Sequence, residues 1–427
     1  MAYLFSFPNK KQNLIVIANY FLILYAFFAP ISNKTSGSIL IIISLLLLFT
    51  SQIKERFLSI IKDKVIQSFI LFYLLYLIWM IGSENTDMGL FRLHDYKFIF
   101  GIIIIAMTVQ KEFIGKILTG FMLGMFMSEL LSYAMSFQFK IPIVKLTEGM
   151  GSVPFMESYT DYATALSIAL GVIFYNLLSK YTLTIYQKSF YLFFFFTASL
   201  NIFIVASRIG YLLYAVAILS VLIFMYKKQF VKILIAGTLL ITFGYTLAYS
   251  VSDLFKQRTT ALYHDTILLS NNDFSTSAGT RAGYYYYSIE IIKNNFLFGV
   301  GAGDHIPEIK QIILDQDPSP ANIDNLFFNI RNGVNASLHS ELLDDITQFG
   351  IIGLLVFLNI FYQLLTYKQP DRDRKNLQIV LVATIFILST ATNIFNSDFI
   401  ARIFLFLSAL SLMTFEERKM IMQNKSI

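Results

Sequence analysis

An all-α integral membrane fold of about twelve helical spans, with one large helical loop on the outer face, is the class this sequence predicts. Three observations carry that expectation. Apolar residues make up 56% of the 427 positions and charged residues only 14%, against roughly 25% charged in a soluble domain. Apolar runs of about 18–20 residues, enough to cross hydrocarbon as a helix, recur along nearly the whole chain. Lysine and arginine also concentrate in alternate connecting segments, as they do when successive helices cross a bilayer. The 43 Phe and 25 Tyr suit lipid-facing helices and interfacial belts. The absence of cysteine excludes disulfides and thiolate metal sites.

The first apolar run, Leu14 to Ala29, follows Lys10 and Lys11 and lacks a small-x-small cleavage pattern. It reads as an uncleaved first span. With it, the spans fall near 12–31, 38–52, 65–82, 97–109, 114–136, 160–178, 189–206, 210–226, 233–250, 347–366, 377–395 and 399–414. The fourth and twelfth are short, which fits a tilted or partly re-entrant course.

Charge sets the orientation. With the N-terminus inside, the inner segments hold about 20 of the 33 lysines and arginines, the short outer loops about 7 and the long loop about 6. Both termini are therefore expected on the cytoplasmic side of the membrane. The chain divides into 1–250 (nine spans), 251–346 (an outer loop, periplasmic in a Gram-negative cell) and 347–427 (three spans and a tail). A structureless loop of that length is improbable. Its middle reads as a capped helix, with Ser277 or Thr280 at the cap, Arg281 to Asn294 as the body and the glycines after Phe298 as the stop. All four histidines, His94, His264, His305 and His339, fall on the outer side.

Few residues on that side can do chemistry. Arg208, in "IVASRIGYLL", interrupts a nearly continuous apolar stretch, where a charge is costly and marks a functional candidate. The alternative is an arginine in a tight outer turn, snorkelling to headgroups. Arg281 opens the loop helix, as a binding residue or a solvated one. Arg402 has an i−4 partner in Asp398. His339, at the lip of the tenth span, is a candidate base, but its own helix supplies no orienting carboxylate. Leucine fills 342 and 343, Glu341 points to another face, and Asp344 and Asp345 are expected to cap or solvate the helix start. "GVGAGD", Gly299 to Asp304, lacks the βαβ setting of a nucleotide site. It reads as a helix stop, or as a turn aiming backbone N–H groups at a phosphate. The tyrosines 284–287 suit interfacial anchoring or sugar stacking. The histidines are too scattered for a metal site.

Together, "SRIG" at a span junction, Arg281 upstream of "FLFGVGAGD", and "LHSELLDDITQFGIIGLLVFL" resemble the O-antigen ligase and polymerase superfamily of envelope glycosyltransferases. The resemblance covers roughly 190–366. It implies a GT-C-like membrane fold whose outer loop lies over the active site. It also implies transfer of a glycan from undecaprenyl pyrophosphate to a sugar hydroxyl of lipid A–core, with inversion and with no nucleotide, metal or other cofactor. The partners implied are that donor, that acceptor and membrane lipids, with no nucleic acid. Arg208 and Arg281 carry over as pyrophosphate ligands and His339 as the catalytic base. Arg92, His94 and Lys97, in "FRLHDYKF", would add to the phosphate site, unless they are simply a polar outer loop. The repeat-unit polymerase branch shares these motifs and is the alternative function. A lipid-oligosaccharide flippase or transporter would instead show repeated halves and broken midplane spans, and neither is visible in the sequence.

Overall fold

The computed structural model describes residues 10–139, 153, 155, 158–179, 183–205, 207–251, 253–317, 319–330 and 336–424. Regular structure among these residues is helical. In hydrocarbon, backbone groups without water must bond within their own segment, and the helix is the local way to do it. A helix lies over each of the twelve apolar stretches. The first half contributes α1 (Lys10–Phe28), α2 (Asn33–Leu48), α3 (Ile53–Ile61), α4 (Lys64–Trp79), α5 (Thr86–Asp95), α6 (Gly101–Thr108), α7 (Ile114–Ser136) and α8 (Tyr159–Leu178). After these come α9 (Ile185–Ile204), α10 (Arg208–Met225) and α11 (Phe230–Val251).

The segment after α11 holds α12 (Asp253–Ser270), α13 (Ser277–Asn294), α14 (His305–Gln316) and α15 (Pro320–Ile330). The chain closes with α16 (Glu341–Thr366), α17 (Arg372–Ser389), α18 (Asp398–Ser411) and α19 (Phe415–Asn424). Short polar side chains start many of these helices by accepting a free N–H of the first turn. Ser32, Asp63, Ser158, Ser207, Ser340 and Ser397 do so for α2, α4, α8, α10, α16 and α18. The cap of α13 is Thr276, not Ser277 or Thr280, because the Thr276 hydroxyl is the one that reaches the Gly279 N–H.

Among the described residues, six helical stretches are long and apolar enough to cross a membrane: Lys111–Ser136, Tyr159–Leu178, Arg208–Met225, Lys227–Thr246, Glu341–Thr366 and Asp398–Asn424. Helices α2 and α3 would together form a seventh, but a bend of 118° separates them. Leu14–Phe28 and Lys64–Trp79 are shorter apolar helices. The chain is thus an all-helical protein of membrane character.

Two apolar cores organise it. The larger unites most of the long helices, with α8 packed on α9, α10, α17 and α18. The smaller gathers Phe274, Tyr284, Tyr287, Ile309, Ile313 and Leu326 from the segment after α12, and closes on Leu338 and Leu343 at the head of α16. That second core presses α13 against the residues around His339.

Candidate active site

Residues 336–340 run as a short non-helical strap into α16, and polar contacts hold it along its length. The buried Arg92 guanidinium donates to the Ala336 carbonyl. The Leu338 N–H donates to Asp344 Oδ1 at 3.0 Å. Ser340 Oγ accepts the Leu343 N–H and donates to the Ser389 carbonyl at 3.2 Å. Tyr285 Oη, on α13, lies 2.8 Å from Ser340 Oγ and 3.0 Å from the Thr390 carbonyl.

Between these ties His339 sits at φ +55°, a left-handed conformation that costs a side chain with a Cβ roughly 1–2 kcal/mol. Its half-buried ring stacks on Tyr284, with centroids 6.2 Å apart and planes at 21°. Tyr284 is fixed in turn, its hydroxyl donating to the Leu326 carbonyl at 2.8 Å. Burial pushes the phenols of Tyr284 and Tyr285 up, so both remain protonated donors at neutral pH.

Arg281 belongs to the same wall. It precedes Tyr284 and Tyr285 by three and four residues, the spacing that puts side chains on one side of a helix. Its guanidinium Nη1 folds back along α13 to the Ser277 carbonyl and hydroxyl, each at 3.1 Å. Arg208 opens α10, where its Nη1 pairs with Asp265 Oδ2 of α12 at 2.7 Å and its side chain is one-third exposed. Arg92 ties the strap from α5, whereas His94 and Lys97 are exposed and lie 2.7 Å apart, Nε2 to Nζ. Arg402 reaches Asp398 at 3.9 Å and also donates to the Asn33 carbonyl.

The carboxylates at the head of α16 are not solvated. Glu341, Asp344 and Asp345 are all buried, because the second core and α17 cover the helix start. Asp344 accepts the Asn393 amide at 2.6 Å, and His305 Nε2 lies 3.3 Å from its other oxygen. Glu341 accepts the Tyr96 hydroxyl at 2.8 Å. Asp345 has no hydrogen-bond partner among the described residues. Asp344 therefore holds the backbone N–H of Leu338, the residue before His339, a role the helical spacing of the sequence does not reveal. His305 and Tyr96 join from distant elements, which no local pattern announces. In the tyrosine run, Tyr284 and Tyr287 are buried in the second core, and the Tyr287 hydroxyl donates to Asp317 at 2.6 Å.

The glycine-rich turn has a different role from either expected one. Helix α16 is broken at Gly350 (φ +65°, ψ −160°), so carbonyls before the break and N–H groups after it lose their helical partners. The turn supplies replacements. The N–H groups of Val300 and Gly301 donate to the carbonyls of Thr347 and Gln348, each at 3.0 Å, and the Ile351 N–H donates to the Phe296 carbonyl at 2.8 Å. The Gly303 N–H donates to Gln348 Oε1 at 3.0 Å. These N–H groups splice a helix and are not turned to a phosphate. Asp304, at the end of the turn, accepts the N–H groups of Asn85 and Glu84 and so fastens the turn to the start of α5.

No curated protein matches the chain. Residues 193–358 match the family model described as O-antigen ligase. The match runs from α9 into α16 and includes Arg208, Arg281, the glycine turn and His339, so over this stretch the chain is similar to the O-antigen ligase family.

Proposed function

We propose that this chain is an O-antigen ligase-type glycosyltransferase of the bacterial inner membrane. It has twelve spans, with both termini cytoplasmic and the 251–346 segment periplasmic. Its donor is a glycan on undecaprenyl pyrophosphate and its acceptor a sugar hydroxyl of lipid A–core. The observation that carries the reading is the shared wall of α13 and the strap. Arg281, a fixed cation, stands one helical turn from the tyrosines that hold His339 and Ser340.

The chemistry follows from those groups. The acceptor oxygen attacks the anomeric carbon from the face opposite the pyrophosphate, and the configuration inverts. The glycosidic C–O bond breaks with its electron pair going to the pyrophosphate oxygen. Guanidiniums at Arg281 and Arg208 bind that anion bidentately and stabilise the charge as it develops. His339 takes the acceptor's proton. An apolar groove between helices would hold the polyprenyl chain. Arg208 comes to the donor already paired with Asp265, so the pyrophosphate must share or displace that carboxylate.

The test is complementation in a host that makes lipid-linked O-antigen but lacks its own ligase. The chain should restore long glycan on lipid A–core, whereas His339→Ala, Arg208→Ala and Arg281→Ala should not at equal membrane levels. The same panel in a polymerase-deficient host separates the branches. A ladder of chain lengths there, with no transfer to core in the first host, would overturn the ligase reading in favour of the polymerase.

A further inference from the structure

Three segments that the charge bias assigns to the cytoplasmic side meet around α19, which lies in the fourth. Arg56 pairs with Glu416 at 2.6 Å, and Arg374 with Glu417 at 2.6 Å. Arg418 pairs with Asp63 at 2.6 Å, and Lys111 lies 3.4 Å from Glu417. The Arg56 guanidinium also covers the Phe415 ring and donates to the Met107 carbonyl. These pairs tie α19 to α3, to α17, to Asp63 at the start of α4 and to Lys111, and they counter the charges of Asp63, Glu416 and Glu417. Lys62 and Lys419 remain exposed beside the clamp.

Between α3 and α19 lies a cavity of about 540 Å³. Leu58, Phe415, Ile421 and Met422 give it an apolar lining, Lys62 and Lys419 a cationic rim, and Glu55 is the one carboxylate among its lining residues. Phe57 of α3 and Met420 of α19 are also exposed. Because α3 turns 118° from α2, it runs close to the membrane plane if α2 crosses the bilayer. A basic-rimmed apolar pocket at that level matches a molecule with a negative head and hydrocarbon tails.

We propose that the α3–α19 cavity binds one anionic phospholipid of the cytoplasmic leaflet. Its phosphate lies between Lys62 and Lys419, and its acyl chains run along Leu58, Ile421 and Met422. A zwitterionic lipid offers the same tails without the net charge, and a soluble phosphate offers the charge without the tails. The lipid bridges two helices joined by ion pairs, so it should stabilise the folded protein by binding it and not the unfolded chain. This site does not depend on the identity of the glycan reaction.

The experiment uses the full-length protein in detergent, stripped of lipid. Native mass spectrometry and thermal unfolding are followed on addition of phosphatidylglycerol, phosphatidylcholine or glycerol 3-phosphate. Phosphatidylglycerol should bind at one site and raise the unfolding temperature, and the other two should not. Lys62→Glu with Lys419→Glu should unfold at the wild-type temperature without lipid and bind phosphatidylglycerol about tenfold more weakly, since each basic side chain near a headgroup contributes a large share of the attraction. Glu55→Gln should bind it more tightly, a gain that misfolding cannot produce. Equal responses to phosphatidylglycerol and phosphatidylcholine, a response to glycerol 3-phosphate alone, or wild-type binding by the double variant would each overturn the proposal.

Discussion

Gly299 packs against the backbone of Gln348, and Gly350 against the backbone of Leu297, so the two glycines close the same seam at the break in α16. A Cβ on Gly299 would lie 2.3 Å from the Gln348 carbonyl carbon, and one on Gly350 would lie 2.4 Å from that of Leu297. Both residues also have positive φ, +67° and +65°. The two motifs "GVGAG" and "GIIGLL" are thus halves of one joint.

Gly299→Ala and Gly350→Ala should each lower the unfolding temperature sharply. Each adds the roughly 1–2 kcal/mol cost of a left-handed Cβ to a backbone collision that no flexible side chain can relieve. Gly115→Ala is the control, because a Cβ there meets nothing within 4 Å in α7. It should be neutral or stabilising by up to about 1 kcal/mol. Thermal unfolding of the three purified variants checks this, and a Gly350→Ala protein as stable as Gly115→Ala would rule out the joint.

Asp344→Ala should cost about 1–3 kcal/mol for each buried donor left without an acceptor, here the Leu338 N–H and the Asn393 amide. Asp344→Asn should recover much of the stability, because its amide oxygen can still accept one of them. If the carboxylate sets the orientation of His339, Asp344→Asn should also lose glycan transfer while leaving donor binding intact. Gel analysis of lipopolysaccharide, alongside donor-binding measurements, separates the two effects.

Arg208 and Asp265 form a partly exposed pair, whose contribution to stability is expected to stay below about 1 kcal/mol. Asp265→Asn frees the guanidinium, so it should leave folding nearly unchanged and lower KM for a pyrophosphate-linked donor. Arg208→Lys, which keeps the charge but loses the bidentate fork, should raise KM. If both variants instead reduce stability equally and leave KM alone, the pair is a structural tie between α10 and α12.

Asp95 offers a pH test outside the proposed spans. Burial raises its pKa in the folded state above the ordinary 3.8, although the Arg92 charge opposes this. The fold therefore binds this proton more tightly than the unfolded chain does. The carboxylate costs stability at neutral pH, and the cost disappears as pH falls through the raised value. Asp95→Asn should be the more stable protein at pH 7, with the advantage shrinking toward pH 4 in thermal unfolding.

Much of the helical layout was legible, because twelve apolar runs leave the backbone little alternative to helix in a membrane setting. Local chemistry was harder to read. The stretch "STSAGT" offers several hydroxyls as caps, and only geometry selects Thr276. Helical spacing placed Asp344 away from His339, and within a continuous helix that would hold. The strap at 336–340 is not helical, His339 in it has positive φ, and the Leu338 N–H beside it donates to Asp344. The glycine turn invited a phosphate reading because free N–H groups look alike in sequence. Their partners, the orphaned carbonyls of Thr347 and Gln348, exist only because α16 breaks some fifty residues later.

The left-handed backbone at His339 also bears on how this protein would respond to selection. Glycine and asparagine occupy that conformation at lower cost than histidine. If His339 is the base proposed above, a library screened for heat resistance alone should enrich His339→Asn or His339→Gly and return sturdier proteins that no longer transfer glycan. Only a screen that also scores the finished envelope polymer would keep the imidazole.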